Sequence, residues 1–207
     1  MKKALELERL RTRIATDLHD DIGATLSAIS LYAETLKSQK SISEAQLNNI
    51  LSKIGESSRE MVGSMSDIVW AINPANDEGE KFVNRMRSYA ADLCQAKDIR
   101  LHFGGEEDMQ KVRLSLEHRK NMYLIFKESL NNAVKYSKAG NIYVNLNVQG
   151  SQLIMTIADD GVGFDMETVG KGNGLKNIHS RAAMIGAGLK LTSRTGEGTT
   201  IELKTKT

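Results

Sequence analysis

The residues with the clearest chemical potential are an adjacent histidine and aspartate, His19 and Asp20, in the stretch DLHDDIGATL. A neutral imidazole nitrogen is a competent nucleophile near pH 7, because the ordinary pKa of histidine lies just below neutrality. Asp20 could take the proton from the other ring nitrogen, or hold that N–H in place. The pair suggests that His19 accepts a phosphoryl group, and a solvated surface pair is the alternative.

A second set of polar residues lies in the segment KESLNNAVKYS. Glu128, Asn132 and Lys135 are spaced by four and three residues, so they share one face of a predicted helix. An amide oxygen suits Mg²⁺, and lysine provides a positive charge for phosphate. The pattern indicates a site for a hydrated metal ion and phosphates, with an exposed polar helix face as the alternative.

Two glycine-containing segments follow. In DDGVGF, Asp159 directly follows a predicted strand and could accept a hydrogen bond from an amino group such as that of adenine. Gly161 and Gly163 would let the backbone approach a flat ligand. In GKGNGLKNI, residues 170–178, a glycine-rich loop runs into a helix N-terminus, where backbone N–H groups favour phosphate. Each segment alone could be an ordinary turn or loop. The order of the polar helix segment and these two segments, closed by GEGT at 196–199, favours a nucleotide site.

Other constellations are weaker. His102 lies in a predicted strand, His118 at a helix start and His179 in a helix, all typical of surface or capping positions. No His and Cys pair has the spacing of metal ligands, and no Ser, His and Asp arrangement suggests acyl transfer.

Two long helices are predicted to present His19. Apolar residues recur at steps of three and four through residues 7–36, and a turn over 40–43 follows, where Ser43 and Gln46 form a capping box. The second helix carries a stripe from Leu47 to Ile72 with alternating steps of four and three, the period of supercoiled helices. Stripes this narrow predict a four-helix bundle made by two hairpins in a homodimer. A single-chain bundle completed by later helices is the alternative.

Pro74 ends the second helix, because proline pushes the residue before it out of the helical region. The boundary is therefore predicted in NPANDEG, with a dimerisation and phosphotransfer domain at 1–76 and a nucleotide-binding domain at 77–207. The second domain is predicted to contain helices at 80–96, 117–136 and 175–185 and strands at 99–103, 142–148, 153–158, 189–193 and 199–204. This order favours a mixed sheet covered on one face by helices.

Composition narrows the class of protein. The 28 basic and 26 acidic residues nearly balance, so no net field argues for nucleic acid or a membrane surface. The single cysteine, Cys94, fits a reducing compartment. The sequence contains no run of about 18 apolar residues, the length that a helix needs to span a membrane. We expect a cytoplasmic location without direct membrane contact. A helical pattern that already runs at Met1 would also fit the cytoplasmic part of a longer membrane-bound protein.

Together, DLHDDIGATL, IVWAINP and the nucleotide segments resemble the catalytic core of two-component sensor histidine kinases over essentially the whole chain. The resemblance is to the subfamily in which aspartate follows the acceptor histidine, which includes nitrate-sensing and membrane-fluidity-sensing kinases. It implies a helical-hairpin dimerisation domain followed by a Bergerat-type α/β sandwich, the fold shared with gyrase, heat-shock chaperone and mismatch-repair ATPases.

The resemblance also implies roles for individual residues. His19 would be phosphorylated with Asp20 as general base, and Asn132 would bind Mg²⁺ while Glu128 positions a metal-bound water. The residues implied to bind ATP are Asn132, Lys135 and Tyr136 on the helix, Asp159, Gly161 and Gly163 around adenine, Gly172 and Gly174 in the ATP lid beside Leu175, and Thr199 near the adenine end.

Two positions depart from the family pattern. Tyr136 stands where a histidine usually follows the lysine; it keeps a ring with a polar tip. Ala24 stands where the subfamily commonly has a glutamine that orients water for dephosphorylating the partner, so weak phosphatase activity is our hypothesis.

The resemblance thus implies autophosphorylation of His19 with ATP and Mg²⁺, followed by transfer to an aspartate of a response regulator receiver domain. The alternatives are a Bergerat-fold ATPase or anti-sigma-type serine kinase, and a nucleotide-binding dimerisation module without turnover. Transfer within a subunit and transfer across the dimer both fit the resemblance.

Overall fold

The computed structural model describes residues 23, 25–38, 42–110, 112–166 and 173–206. By its contacts the chain forms two compact units, Met1–Trp70 and Ala71–Thr207. Four positions singled out in the sequence, His19, Asp20, Ala24 and Gly172, lie outside the described residues.

The described part of the first unit is helical, with α1 over residues 25–38 and α2 over Glu44–Ile72, whose last two residues belong to the second unit. The predicted capping box is confirmed at the start of α2. The Gln46 backbone N–H donates to Ser43 Oγ at 3.3 Å, and the Ser43 N–H donates to Gln46 Oε1 at 3.2 Å. The Lys53 ammonium on α2 lies 5.8 Å from the ring centroid of Tyr32 on α1, so the two helices are neighbours.

The segment after α2 is held by a buried guanidinium. As the proline predicts, α2 ends at Ile72, and Pro74–Asn76 forms a 3₁₀ turn. Arg119, whose side chain is 1% exposed, donates from Nε to the Ala71 carbonyl at 2.9 Å and pairs with the Asp77 carboxylate. A buried charge needs such partners, so Arg119 fixes the path of residues 71–77 within the second unit.

The described second unit is a mixed five-stranded sheet with helices on one face. Its helices are α3 (Gly79–Gln95), α4 (Glu106–Met109), α5 (Leu116–Tyr136) and α6 (Asn173–Met184), and its strands are β1 (Arg100–Gly104), β2 (Asn141–Gln149), β3 (Gln152–Asp159), β4 (Gly188–Arg194) and β5 (Gly198–Lys206). The strand order is β1-β2-β3-β5-β4, with β1 parallel to β2 and every other neighbouring pair antiparallel. Each predicted element is present within two residues of its predicted ends, and the predicted mixed sheet is confirmed.

The core lies between the sheet and the helices. Alternate residues of β2 are buried, as expected for a strand with one covered face. The apolar side chains that fill this space are Ile142, Val144, Leu146, Leu153 and Met155 from the sheet and Phe82, Met86, Met122, Ile125, Phe126 and Leu130 from α3 and α5. Each such side chain contributes roughly 1.5–3 kcal/mol through burial, which fixes α5 against the sheet.

Candidate functional site

One face of α5 carries the first group of polar site residues. The helix begins after Ser115, whose Oγ accepts the His118 backbone N–H at 3.3 Å as an N-cap. One turn apart on this helix, Asn132 Nδ2 donates to Glu128 Oε1 at 3.4 Å. The bond leaves the Asn132 amide oxygen available for a ligand.

Asp159 provides the carboxylate at the end of β3. Its side chain is 9% exposed, and the Gly161 backbone N–H donates to Asp159 Oδ1 at 3.0 Å. Burial raises the pKa of Asp159, and the backbone N–H groups of Gly161 and Thr199 partly offset this effect. Across the sheet, Asp159 is the register partner of Thr199 on β5. The carboxylate has lone pairs beyond those that these two N–H groups use, so it is well placed to accept a hydrogen bond from a ligand's amino group.

The neighbouring Asp160 has a different role, because its hydrogen-bond partners lie at the start of β2. Its carboxylate accepts the backbone N–H of Gly140 at 2.9 Å and that of Asn141 at 2.8 Å. It also accepts the Asn141 side-chain amide at 2.7 Å. The hydrogen bond from the Asn141 side chain is the main reason that the pKa of Asp160 is lowered. Asp160 therefore joins the end of β3 to the start of β2 and does not line the site.

Two glycines allow close approach around these side chains. Gly163 has φ +56°, and a Cβ there would lie 2.0 Å from the Arg194 carbonyl oxygen, so no other residue fits without displacement. A Cβ at Gly174, near the start of α6, would lie 2.1 Å from Glu128 Oε1. The first turn of α6 thus lies directly against the Glu128 and Asn132 face of α5.

These elements enclose a cavity of about 480 Å³, a size suited to a nucleotide-sized ligand. Eight residues predicted for the site line it: Glu128, Asn132, Tyr136, Asp159, Gly163, Gly174, Leu175 and Thr199. Tyr136 lies at the mouth, since its side chain is 71% exposed. Lys135 and Gly161 do not line the cavity; Lys135 is exposed on α5, and Gly161 acts through its N–H bond to Asp159.

Among the described residues, seven more line the cavity and were not predicted from the sequence. They are Ser129, Ala133, Ser137, Ile157, Phe164, Leu191 and Ile201. Strand alternation could have found Ile157 and Ile201, because each lies two residues from a predicted site residue on the same face. Leu191 faces Ile201 across the β4–β5 ladder, a pairing that depends on register between separate strands. These apolar residues form the wall against which a flat base could pack.

The site residues fit a metal ion that is held mainly by water and by the phosphates of a bound molecule, with few ligands from the protein. Among the described residues, no group of three His, Cys, Asp or Glu side chains could hold a metal ion. An amide oxygen and one carboxylate do suit Mg²⁺, which usually keeps several waters and shares phosphate oxygens. The Asn132 and Glu128 pair meets that requirement.

Within the described helices, none is long and apolar enough to cross a membrane.

Comparison with known proteins gives two family matches along the chain. Residues 11–77 match a histidine kinase family, and residues 117–207 match the histidine kinase-, DNA gyrase B- and HSP90-like ATPases. The first match includes His19 and Asp20, and the second includes all of the described residues that line the cavity.

Relatives and solved structures agree with these matches. The chain is 28% identical to a sensor-like histidine kinase of Chloroflexus aurantiacus over 95% of this chain and 34% of that protein. It is 27% identical to the sensor histidine kinase LiaS of Bacillus subtilis over 99% of this chain and 56% of that protein. The chain thus spans about a third to just over half the length of these relatives.

The fold resembles that of the Acinetobacter baumannii histidine kinase AdeS, with a TM-score of 0.59 at 15% identity over 91% of this chain and 97% of that one. With an acceptor-histidine segment followed by an ATPase domain, and with relatives that match nearly its whole length, the chain belongs to the sensor histidine kinases of two-component systems.

Proposed function

We propose that this chain transfers the γ-phosphoryl group of ATP to His19 and from there to an aspartate of a response regulator receiver domain. The observation that carries the proposal is a single cavity that joins the buried carboxylate of Asp159 to the polar pair Glu128 and Asn132. This cavity lies within the ATPase match, and His19 lies within the histidine kinase match.

The cavity suits ATP at both ends. Asp159 would accept a hydrogen bond from the adenine amino group, and the apolar wall that includes Ile157 and Ile201 would pack against the base. Glu128 and Asn132 would then lie towards the phosphates. In transfer, one ring nitrogen of His19 forms a bond to the γ-phosphorus as the bond to the β–γ bridging oxygen breaks and ADP leaves. Asp20 would hold or take the proton of the other ring nitrogen.

We propose that Asn132 binds Mg²⁺ directly and that Glu128 binds it through a water molecule. The amide oxygen of Asn132 is left available by the bond between Asn132 Nδ2 and Glu128, which supports this assignment. Bound Mg²⁺ would neutralise charge on the phosphates. Lys135, exposed on the same helix, would add a positive charge for phosphate.

We also propose a homodimer through α1 and α2. Exposed apolar side chains on these helices support it: Leu26, Leu31, Leu51, Val62, Met65 and Val69. On α2 the last three follow the alternating steps of supercoiled helices. A second copy of the hairpin would bury this surface in a four-helix bundle. Light scattering should give twice the chain mass, and a monomer at micromolar concentration would contradict the proposal.

The functional boundary that we propose remains at residues 76 and 77, with the acceptor domain before it and the ATP-binding domain after it. The histidine kinase match, which ends at residue 77, supports this division. Residues 71–76 pack with the second unit, so this short segment belongs to one domain by sequence match and to the other by contacts.

The deciding experiment incubates the protein with γ-labelled ATP and Mg²⁺. We expect a protein-bound label that is labile in acid and stable in base, as for phosphohistidine, and that is absent from His19→Gln. The matched control is His179→Gln, an exposed histidine on α6, which should label normally. An acid-stable label would indicate a serine or threonine kinase, phosphate release alone an ATPase, and neither a nucleotide-binding module.

We propose that phosphatase activity is weak, because Ala24 cannot orient water as the glutamine of related kinases would. Rapid loss of phosphate from a cognate phosphorylated regulator on adding this protein would contradict this.

A further inference from the structure

A buried hydroxyl stands behind the cavity wall. Ser193 on β4 is 7% exposed and does not line the cavity. Three polar groups surround its Oγ: the Phe164 backbone N–H at 2.9 Å, the Gly198 carbonyl oxygen at 3.1 Å and Thr199 Oγ1 at 2.9 Å. Of these neighbours, Thr199 and Phe164 line the cavity.

The hydrogens available in this cluster determine which groups donate hydrogen bonds and which accept them. A serine hydroxyl has one hydrogen to donate and two lone pairs that accept. The Phe164 N–H can only donate, and the Gly198 carbonyl can only accept. Ser193 therefore gives its hydrogen to Gly198, and its second lone pair accepts the hydrogen of Thr199. Any other arrangement would leave a buried acceptor facing an acceptor, which is costly.

The Thr199 hydroxyl can therefore only accept hydrogen bonds from a molecule in the cavity. Its register partner Asp159 also accepts, because an ionised carboxylate has no hydrogen to donate and its N–H partners are the backbone amides of Gly161 and Thr199. The side chains of Asp159 and Thr199 at this end of the cavity thus both act as acceptors. A base edge with an amino group is matched by this arrangement, whereas an edge with a carbonyl group meets two acceptors.

We propose that Ser193 is a positioning residue for nucleotide selection. By holding the Thr199 hydroxyl as an acceptor, it makes the cavity select a purine that bears an amino group over one that bears a carbonyl group at the same position. This inference rests on the proposed binding of ATP and adds to it a determinant of selectivity that does not touch the nucleotide.

Replacing Ser193 with alanine frees the Thr199 hydrogen. The Thr199 hydroxyl can then turn and donate to a purine carbonyl. One neutral hydrogen bond of this kind changes binding by about three- to tenfold. The ratio of affinities for ATP and for inosine triphosphate should therefore fall by that factor, because the inosine nucleotide carries a carbonyl group in place of the amino group.

The test measures ATP and inosine triphosphate binding to the whole chain by calorimetry. Ser193→Ala and Ser193→Cys should both lower the preference for ATP. The cysteine variant keeps a side chain of similar size but forms only weak hydrogen bonds. The double variant Ser193→Ala/Thr199→Val should return to the ratio of Thr199→Val alone, because the freed hydroxyl is then missing. Thr192→Ala, at an exposed position on the same strand, is the matched control and should keep the wild-type ratio.

The outcomes separate this inference from the proposed function. If wild-type protein binds ATP and both Ser193 variants keep its preference while remaining folded by circular dichroism, the inference is wrong. The inference is also wrong if the double variant keeps a lower preference than Thr199→Val, because a structural defect would then explain the change. If wild-type protein binds neither nucleotide, the proposed function itself fails and the inference with it.

Discussion

Gly174→Ala is expected to separate stability from activity. The added Cβ would lie 2.1 Å from Glu128 Oε1, 3.2 Å from Glu128 Cδ and 3.5 Å from Asn132 Nδ2. Because such a carbon is essentially never closer than 3.0 Å to another heavy atom, the carboxylate must retreat by about 1 Å. That movement lengthens or breaks the hydrogen bond between Asn132 and Glu128.

The cost to folding should be small. The atom that must move is the end of a flexible side chain, and an off-rotamer Glu128 costs about 0.5–1.5 kcal/mol. Alanine gains up to about 1 kcal/mol over glycine in a helix, which offsets this cost. The free energy of unfolding should therefore change by less than about 1 kcal/mol. Activity should fall by about 100-fold, since a 1 Å displacement of a catalytic group has roughly that effect.

The assay is the initial rate of His19 labelling from γ-labelled ATP, with a thermal melt of the same sample. Gly188→Ala is the matched control, because its Cβ would have no neighbour closer than the Lys204 carbonyl oxygen at 3.9 Å. The control should keep both rate and melting temperature. A Gly174→Ala protein that labels His19 at the wild-type rate would refute the requirement for the observed position of Glu128.

Three other substitutions test single interactions. Burial raises the pKa of Asp159, so ionising this carboxyl group lowers the stability of the folded state. The loss develops as the pH rises from the usual aspartate range through the raised pKa, and it is still present at pH 7. Asp159→Asn should therefore lose ATP binding by calorimetry yet resist urea better than wild type at pH 7, and this gain should vanish at acidic pH. Arg119→Met leaves the Ala71 carbonyl without its buried donor and should lower the free energy of unfolding in urea by about 3–5 kcal/mol, whereas loss below 1 kcal/mol would contradict the role of this contact. Ser43→Ala removes the acceptor of the Gln46 N–H and should cost about 1 kcal/mol of helix stability by the same measurement.

Local signals in the sequence were enough to predict most elements of the fold. The capping box at Ser43 and the break at Pro74 each determine a boundary with their own chemistry. Helix α4, Glu106–Met109, was not predicted, because one turn of helix is too short to produce a periodic pattern. Its place depends on a close packing contact: a Cβ at Gly79 would lie 2.2 Å from the Met109 carbonyl oxygen.

The candidate site was predictable where side chains lie on one element and unpredictable where elements meet. The spacing of Glu128 and Asn132 on one helix face was enough to pair them. The contact of Gly174 with Glu128 joins α6 to α5, and no local pattern encodes it. The same holds for Ser193, whose partners come from the loop after β3 and the first two residues of β5. The roles of His19 and Asp20 stay predictions, since both lie outside the described residues.

The different roles of the adjacent residues Asp159 and Asp160 affect how a mutational screen of this protein should be interpreted. Asp159 lines the cavity, whereas Asp160 holds Gly140 and Asn141, at the start of β2, through three hydrogen bonds. A screen for inactive variants would recover both positions and would suggest two ligand contacts. Only a measurement of hydrogen exchange in β2 would reveal that the second variant loosens the scaffold and has no direct contact with the nucleotide.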